Sequence, residues 1–142
     1  MKKVGDILET KGRAVWSIGP SDSVFDALKL MAEKGIGALV VREGNKVVGV
    51  ISERDYARKV ILQGRSSPTT FVSEIMTARV VYAQLEQNID ECMAIMTEKR
   101  IRHLPVMEDD RLVGIISIGD LVKSIIAEQQ FIIEQLERYI TT

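Results

Sequence analysis

Two pairs of serine and aspartate with the same spacing are the residues of this 142-residue chain best placed to bind a ligand. The stretch GVISERD contains Ser52 and Asp55, and GIISIGD contains Ser117 and Asp120. A serine at a helix start caps backbone N–H groups, and an acid three residues later completes a capping box. A carboxylate at that place can also accept hydrogen bonds from the two hydroxyls of a ribose, while helix N–H groups can hold an anion. The motif alone leaves a structural role and a nucleotide-binding role open.

An internal repeat puts both pairs at the same point of one structural unit. With an offset of 65 residues, residues 17–61 align without gaps with residues 82–126, and thirteen of the 45 positions are identical. The match extends back, with a slip of three residues, to VGDIL and VSEIM. Two copies of one supersecondary unit account for this pattern.

Each copy has the pattern β-α-β-β-α. Apolar residues at helical spacing predict an amphipathic helix with one buried stripe. These residues are Val24, Ala27, Leu28 and Met31 in the first copy, and Ile89, Cys92, Met93 and Met96 in the second. Ser23 with Asp26, and Asn88 with Glu91, resemble capping boxes at the helix starts.

The remaining elements follow from branched apolar runs. Runs on either side of REGNK and EDDR predict two β-hairpins, and a short strand is expected before each first helix, around residues 14–18 and 80–83. A second helix should start near Glu53 and Ile118. The predicted boundaries are residues 1–64 for the first repeat, 65–71 for a linker, 72–127 for the second repeat and 128–142 for a helical extension.

The end of the chain predicts a long helix. No Gly or Pro lies between Asp120 and Ile140, and apolar residues recur there at spacings of four and seven. Such a helix either folds over its own module or forms a dimer contact.

Composition excludes several classes of protein. A net charge of −1 is not that of a general nucleic-acid binder, and no apolar run approaches the ~20 residues that span a bilayer. Asp6 and Glu9 interrupt any signal-peptide core, and the single cysteine excludes an intrachain disulfide, so the expected location is cytoplasmic. The GIG stretch follows a helix instead of a strand, which predicts a helix-ending turn and not a dinucleotide loop.

The duplicated units, each closing on Gly, apolar, Ile, Ser, x, x, Asp, resemble a tandem pair of CBS domains, the arrangement called a Bateman module. The phrases SERDYARKVILQGRSS and RIRHLPV are similar to stand-alone CBS-pair proteins of plant organelles. The resemblance covers about residues 4–126 and implies an α+β fold with two repeats packed about a pseudo-two-fold axis. It also implies that adenosine nucleotides lie in two clefts, where the Asp binds ribose hydroxyls, the Ser approaches phosphate and strand residues of the partner repeat enclose adenine.

Carried onto this chain, the resemblance predicts two unequal clefts. The first would comprise Ser52, Arg54, Asp55, Arg58, Lys59, Thr77, Val81, Arg102 and His103. The second would comprise Trp16, Gly37, Ala38, Ser117 and Asp120. Because Gly119 in the second cleft replaces Arg54 in the first, and Gly37 and Ala38 replace Arg102 and His103, a di- or triphosphate or a dinucleotide should prefer the first. The second should hold an adenosine moiety weakly, or nothing.

For three residues a structural role must be considered as well as a functional one. His103 is either a phosphate contact or a partly buried strand residue, and Trp16 is either a ligand contact or a strand anchor. Cys92 falls on the apolar helix face and is expected in the core.

The sequence therefore favours a non-catalytic, free-standing regulator that senses AMP, ATP or an NAD-type ligand and changes the shape of a homodimer. Mg²⁺ would enter only with a triphosphate. The regulated partner, a thioredoxin-like protein or a metabolic enzyme, is not identified, and neither nucleic acid nor membrane is expected as a partner. The alternative is a protein-interaction module with vestigial clefts. No nucleophile, base and orienting acid can be assembled into an enzyme site.

Overall fold

The computed structural model describes residues 2–141 and divides the chain into two compact units. The central unit runs from Val15 to Val81. The terminal unit combines the residues up to Ala14 with those from Tyr82 onward. Each unit is built on one three-stranded sheet.

The elements follow one another in the same order in both halves of the chain. They are α1 (Val4–Lys11), β1 (Ser17–Ile18), α2 (Val24–Lys34), β2 (Ala38–Glu43), β3 (Lys46–Ser52), α3 (Glu53–Tyr56), α4 (Val72–Ile75), β4 (Ala83–Gln84), α5 (Ile89–Lys99), β5 (His103–Glu108), β6 (Arg111–Ser117) and α6 (Ile118–Thr141). A π-helical turn at Ala57–Ile61 continues α3, and a 3₁₀ turn at Ser67–Thr69 lies in the predicted linker. The predicted α+β fold of two β-α-β-β-α repeats with a long C-terminal helix is confirmed.

The two sheets have the same topology. In each, a two-residue strand pairs parallel with the first strand of the hairpin, and the hairpin strands pair antiparallel. Both hairpins shift register at equivalent positions, between Val41 and Arg42 and between Val106 and Met107. The short strands are shorter than predicted, because only Ser17–Ile18 and Ala83–Gln84 pair with the hairpins.

The long helices of the repeats begin and end as the sequence predicts. The Ser23 hydroxyl accepts a hydrogen bond from the Asp26 N–H at 3.1 Å, and the Asn88 side chain accepts one from the Glu91 N–H at 2.9 Å. Helix α2 ends at Gly35 in the left-handed region, with φ of 64°, so the GIG stretch is the predicted helix-ending turn. The apolar stripes are buried at Val24, Ala27 and Met31 and at Ile89, Cys92 and Met96.

The short opening helices exchange places between the repeats. Helix α1 buries Val4, Ile7 and Leu8 in the terminal unit, where it packs against β6, β4 and α6. Helix α4 packs against β3 in the central unit, and Thr77 and Val50 exchange backbone hydrogen bonds of 2.9 and 3.1 Å. Each opening helix thus covers the sheet of the other repeat, and the repeat boundaries themselves remain a prediction. Met1 and Thr142, which those boundaries include, lie outside the described residues.

Helix α6 extends over 24 residues, as the absence of Gly and Pro predicts. Its buried residues are Leu121 and Ser124, both in the first two turns. Its later apolar side chains are exposed, among them Phe131, Ile132 and Leu136. Within residues 2–141, no helix has the length and apolar character to cross a membrane.

Candidate functional site

In the central unit the Ser52 and Asp55 pair lies where β3 passes into α3. The Asp55 Oδ2 atom accepts hydrogen bonds from the Ser52 backbone N–H at 2.9 Å and from the Ser52 hydroxyl at 3.1 Å. The Asp55 N–H donates to the Ser52 hydroxyl at 3.2 Å, so the motif forms a capping box. The side chain of Asp55 is only 16% exposed, so only a small part of the carboxylate can contact a ligand.

A lysine one helical turn later shares this carboxylate. The Lys59 Nζ atom lies 3.5 Å from Asp55 Oδ1 and donates a hydrogen bond of 3.0 Å to the Ile75 carbonyl. The predicted cleft residues Arg54 and Arg58 are half-buried and exposed, respectively. This helical segment therefore carries three basic side chains beside one exposed acid, Glu53, while Asp55 supplies a fixed acceptor.

Four further predicted residues lie in the same unit as Ser52, and two of them are next to it. Ala38 stands opposite Ser52 in the β2–β3 pairing, and the Gly37 carbonyl accepts a hydrogen bond of 3.0 Å from the Glu53 N–H. Thr77 is exposed and joins the edge of β3 through Val50. Val81 is half-buried at the end of the unit.

Trp16 precedes β1 and supports its strand interpretation. The Trp16 carbonyl accepts a hydrogen bond of 3.4 Å from the Val40 N–H. Its ring is 43% exposed, and the Lys34 ammonium lies 4.0 Å from the ring centroid, a cation–π contact. The indole face that a base could stack on is thus partly covered by Lys34.

In the terminal unit the Ser117 and Asp120 pair repeats the geometry with a different lysine. The Asp120 Oδ2 atom accepts hydrogen bonds from the Ser117 N–H at 2.8 Å and from the Lys11 Nζ at 2.7 Å. Lys11 also donates to the Ile115 carbonyl at 2.8 Å. Burial alone would raise the pKa of Asp120, but the hydrogen bonds from Lys11 and Ser117 and the charge of Lys11 together hold it below its usual value. Asp120 is therefore a charged acceptor already engaged by a cation.

Arg102 and His103 lie beside Ser117 in the terminal unit. His103 stands opposite Ser117 in the β5–β6 pairing, and the Arg102 carbonyl accepts a hydrogen bond of 2.8 Å from the Ile118 N–H. Burial lowers the pKa of His103, the charges of Lys11 and Arg102 lower it further, and Asp120 partly opposes them. His103 is thus a neutral imidazole at pH 7, able to donate or accept a hydrogen bond.

The two units therefore gather the predicted site residues in two groups. Ser52 and Asp55 share the central unit with Trp16, Gly37, Ala38, Arg54, Arg58, Thr77 and Val81, and Ser117 and Asp120 share the terminal unit with Arg102 and His103. The assignment of Arg102 and His103 to the first cleft, and of Trp16, Gly37 and Ala38 to the second, remains a prediction.

Sequence reasoning missed Lys11. The signal that could have found it is indirect: Lys59, which pairs with Asp55, aligns with Ser124 in the second repeat. The second aspartate thus lacks a lysine four residues later on its own helix, and Lys11 of α1 supplies one from another part of the chain.

Cys92 has the structural role that its position predicts. It is fully buried in α5, and burial, aided by the charge of Glu91, raises the pKa of its thiol to about 11. The thiol is protonated at neutral pH and shielded from reagents. Among residues 2–141, no three His, Cys, Asp or Glu side chains are grouped so that they could hold a metal ion.

Comparison with known proteins assigns both halves of the chain to one domain type. The family profile described as CBS domain matches residues 4–61 and 72–127. The CBS domain-containing protein CBSX3, mitochondrial, of Arabidopsis thaliana is 38% identical over 147 residues, which cover 96% of this chain and 71% of the relative. The predicted similarity to plant organellar CBS-pair proteins is confirmed.

Solved structures agree with this assignment. A protein with CBS domains from Burkholderia ambifaria MC40-6 is 56% identical with a TM-score of 0.87, over 90% of this chain and 96% of the other. The CBS domain pair of protein MJ0100, solved in complex with 5′-methylthioadenosine and S-adenosyl-L-methionine, is 27% identical with a TM-score of 0.78, over 90% of this chain and 98% of the other.

Proposed function

This chain belongs to the CBS-domain family as a tandem pair of the domain, and on that premise we propose that it is a non-catalytic regulatory protein that senses an adenosine nucleotide. The ligand class is AMP, ATP or an NAD-type dinucleotide, and a divalent cation enters only with a triphosphate. CBS pairs form a family of regulatory modules, and the related MJ0100 pair was solved with two adenosine compounds.

The observation that carries the proposal is the fixed carboxylate at the start of each second helix. Asp55 and Asp120 are each oriented by a serine backbone N–H within 3.0 Å, and both are largely buried. Among residues 2–141, Oδ1 of neither carboxylate accepts a hydrogen bond, and the Oδ1 atom of Asp55 has only the ion-pair contact of 3.5 Å with Lys59, which the hydroxyls of a ribose would share. Arg58, exposed one turn after Asp55, is suited to a phosphate.

Signalling would follow from the thermodynamic linkage between nucleotide binding and conformation. A nucleotide shifts the protein only toward conformations that bind it more tightly, so its effect equals its differential affinity for the two states. The responding partner is a second protein, either thioredoxin-like or a metabolic enzyme. Because the Cys92 thiol is buried and protonated, recognition of a thioredoxin would not use a disulfide from this cysteine. The proposed location is the cytoplasm, since the single cysteine makes no internal disulfide.

We further propose a homodimer formed through α6. The exposed residues on one side of the helix are Val122, Ile126, Ile132, Ile133, Leu136 and Tyr139, with a spacing of four from Val122 to Ile126 and of three from Ile133 to Leu136 and on to Tyr139. Such a seam is self-complementary, so the partner it fits is the same helix of a second copy.

The alternative is a protein-interaction module with vestigial clefts. It is favoured by one observation: Lys59 and Lys11 already neutralise the two aspartates, and the capping role satisfies the serines without any ligand. Under this alternative the repeated motif serves only to start α3 and α6.

Thermal unfolding with nucleotides separates the two functions. Wild type and the variants Asp55→Asn and Asp120→Asn would be heated with AMP, ATP, NAD or S-adenosylmethionine, each at ~1 mM. A ligand with a Kd near 10 μM adds ~2.7 kcal/mol to the free energy of unfolding, which is several degrees for a domain of this size. We expect Asp55→Asn to abolish the shift and Asp120→Asn, its matched control, to retain most of it.

Two outcomes would contradict the proposal. If no nucleotide raises the melting temperature of the wild type, the nucleotide sensor is wrong and the interaction module remains. If the shift survives in a protein that carries both Asp55→Asn and Asp120→Asn, the nucleotide binds, but neither aspartate contacts the ribose. Circular dichroism without ligand checks that each variant folds, because Asp55→Asn also weakens the cap by ~1 kcal/mol.

A further inference from the structure

A groove in the terminal unit lies between α1 and α6. Its volume is about 370 Å³, which falls in the size range of small-molecule sites. The groove meets the Ser117 and Asp120 pair only at Asp120 and continues along both helices to Lys2 and Ala127. Most of its wall is thus separate from the predicted nucleotide residues.

The groove exists because small residues stand on α6 where the first repeat has long ones. Ser124 aligns with Lys59, and Ala127 aligns with Leu62. In the central unit the Lys59 side chain reaches across to the Ile75 carbonyl. Because the Ser124 side chain is too short to span the equivalent distance, the space beside α1 stays open.

Three lysines give the groove an excess of positive charge. Lys11 is paired with Asp120 at 2.7 Å, whereas Lys2 and Lys123 have no ion-pair or hydrogen-bond partner within residues 2–141. The other carboxylate of the wall, Asp6, accepts the Lys3 N–H at 2.9 Å as the cap of α1. Two lysines without a partner among the described residues therefore line one small volume, and their positive charge favours an anion there.

A buried hydroxyl adds a second, independent indication. Ser124 is 8% exposed, and its Oγ has no hydrogen-bond partner within the described residues. A buried polar group without a partner is unfavourable, and a ligand or ordered water usually explains one. Ser124 lines the groove but its Oγ is itself buried, so an acceptor oxygen in the groove would satisfy the hydroxyl after rotation about the Cα–Cβ bond. The hydroxyl of Thr10 lies on the facing helix.

We propose that this groove binds a phosphate group, held by the ammonium groups of Lys2, Lys11 and Lys123 and by the hydroxyls of Ser124 and Thr10. The volume exceeds that of a free phosphate ion, which favours the phosphate of a small organic phosphomonoester. The inference uses no ribose or adenine contact and does not rest on the proposed nucleotide site. It adds a binding site beside Asp120 that draws on the same Lys11.

Isothermal titration calorimetry in a phosphate-free, low-salt buffer tests the groove. The probes are inorganic phosphate and glycerol 3-phosphate, which separate a free ion from a phosphomonoester. We expect glycerol 3-phosphate to bind more tightly than inorganic phosphate. Lys123→Met, which keeps the aliphatic stem and removes the charge, should weaken binding at least tenfold. Lys46→Met, which removes an exposed charge from the central unit, should leave it unchanged.

A second variant guards against a general effect of charge. Ser124→Ala retains every charge, and we expect it to weaken binding while the melting temperature without ligand stays equal or rises. The proposal is overturned if neither probe binds the wild type, if Lys123→Met binds as well as the wild type, or if Lys46→Met weakens binding as much as Lys123→Met. The last result would mean that net charge, and not the groove, determines binding.

Discussion

At the scale of single residues, the aspartate carboxylate that caps the helix start is also the candidate acceptor for a ligand. In each Ser-x-x-Asp motif the serine N–H and the aspartate carboxylate close a ring at the helix start, and a lysine stands at the carboxylate. The lysines come from different elements, because Lys59 follows Asp55 on one helical segment whereas Lys11 belongs to α1. A ligand at Asp120 must therefore compete with a stronger contact, 2.7 Å against 3.5 Å at Asp55.

His103 should make the protein less stable in mild acid. Its pKa is lowered in the folded protein by burial, then by Lys11 and Arg102, with Asp120 opposing. Between the folded pKa and the unfolded value near 6.5, the unfolded chain binds more protons, so the free energy of unfolding falls as pH falls through this window and levels off below it. For each pKa unit by which folding lowers the value, the free energy of unfolding falls by ~1.4 kcal/mol in acid.

Urea unfolding at pH 7.5, 6.5 and 5.5 measures this effect. We expect His103→Gln to lose less stability than the wild type between the first and last pH, a range in which Asp120 stays ionised. His103 is the only histidine of the chain, so one imidazole NMR signal reports its pKa directly. A measured pKa at or above 6.5 would refute the interpretation.

At the scale of elements, the repeated glycines explain how the opening helices dock. A Cβ at Gly49 would lie 2.6 Å from the Met76 Sδ and 3.0 Å from the Thr77 carbonyl oxygen. A Cβ at Gly114 would lie 2.8 Å from both methyl groups of Leu8. Each glycine therefore lets the opening segment of the other repeat approach the middle of a hairpin strand.

Alanine at these glycines should loosen that docking. We expect Gly49→Ala and Gly114→Ala to lower the free energy of unfolding by ~1–3 kcal/mol, with Gly49→Ala the worse because a backbone oxygen cannot move aside easily. Gly119→Ala is the matched control, since its Cβ would meet only the Ser117 Oγ at 3.6 Å and alanine favours a helix. Chemical denaturation measures the free energy of unfolding of the three variants. Equal stability of all three would contradict this account.

The sequence predicts the elements better than their grouping. Strands, caps and the starts of α3 and α6 depend on residues close in sequence, and the structure confirms them. The exchange of α1 and α4 depends on contacts such as Leu8 with Gly114, which the repeat alignment does not reveal. For the same reason Ser52 and Asp55 could be predicted as a site, while Lys11 and the groove beside it could not, because they arise only when α1 meets α6.

At the scale of the whole molecule, α6 has more apolar surface than its own unit covers. Ile132 and Leu136 are both about half exposed in the isolated chain, at 51% and 57%, and they lie on the same side of the helix. Contiguous apolar surface of this kind marks an interaction site in a folded protein. Its three- and four-residue spacing is that of a helix pair, with Gln129 as the one polar residue on the seam.

The dimer is tested by placing a charge in that seam. Ile132→Glu should shift the protein from dimer to monomer in light scattering coupled to size exclusion, because pairing would bury two unpaired carboxylates. The same charge on the opposite side of α6, in Gln130→Glu, should leave the dimer intact. Both side chains are exposed in the single chain, so neither change should lower the melting temperature of the monomeric fold itself. A wild type that is monomeric at all concentrations would exclude the homodimer, and a dimeric Ile132→Glu would move the interface away from α6.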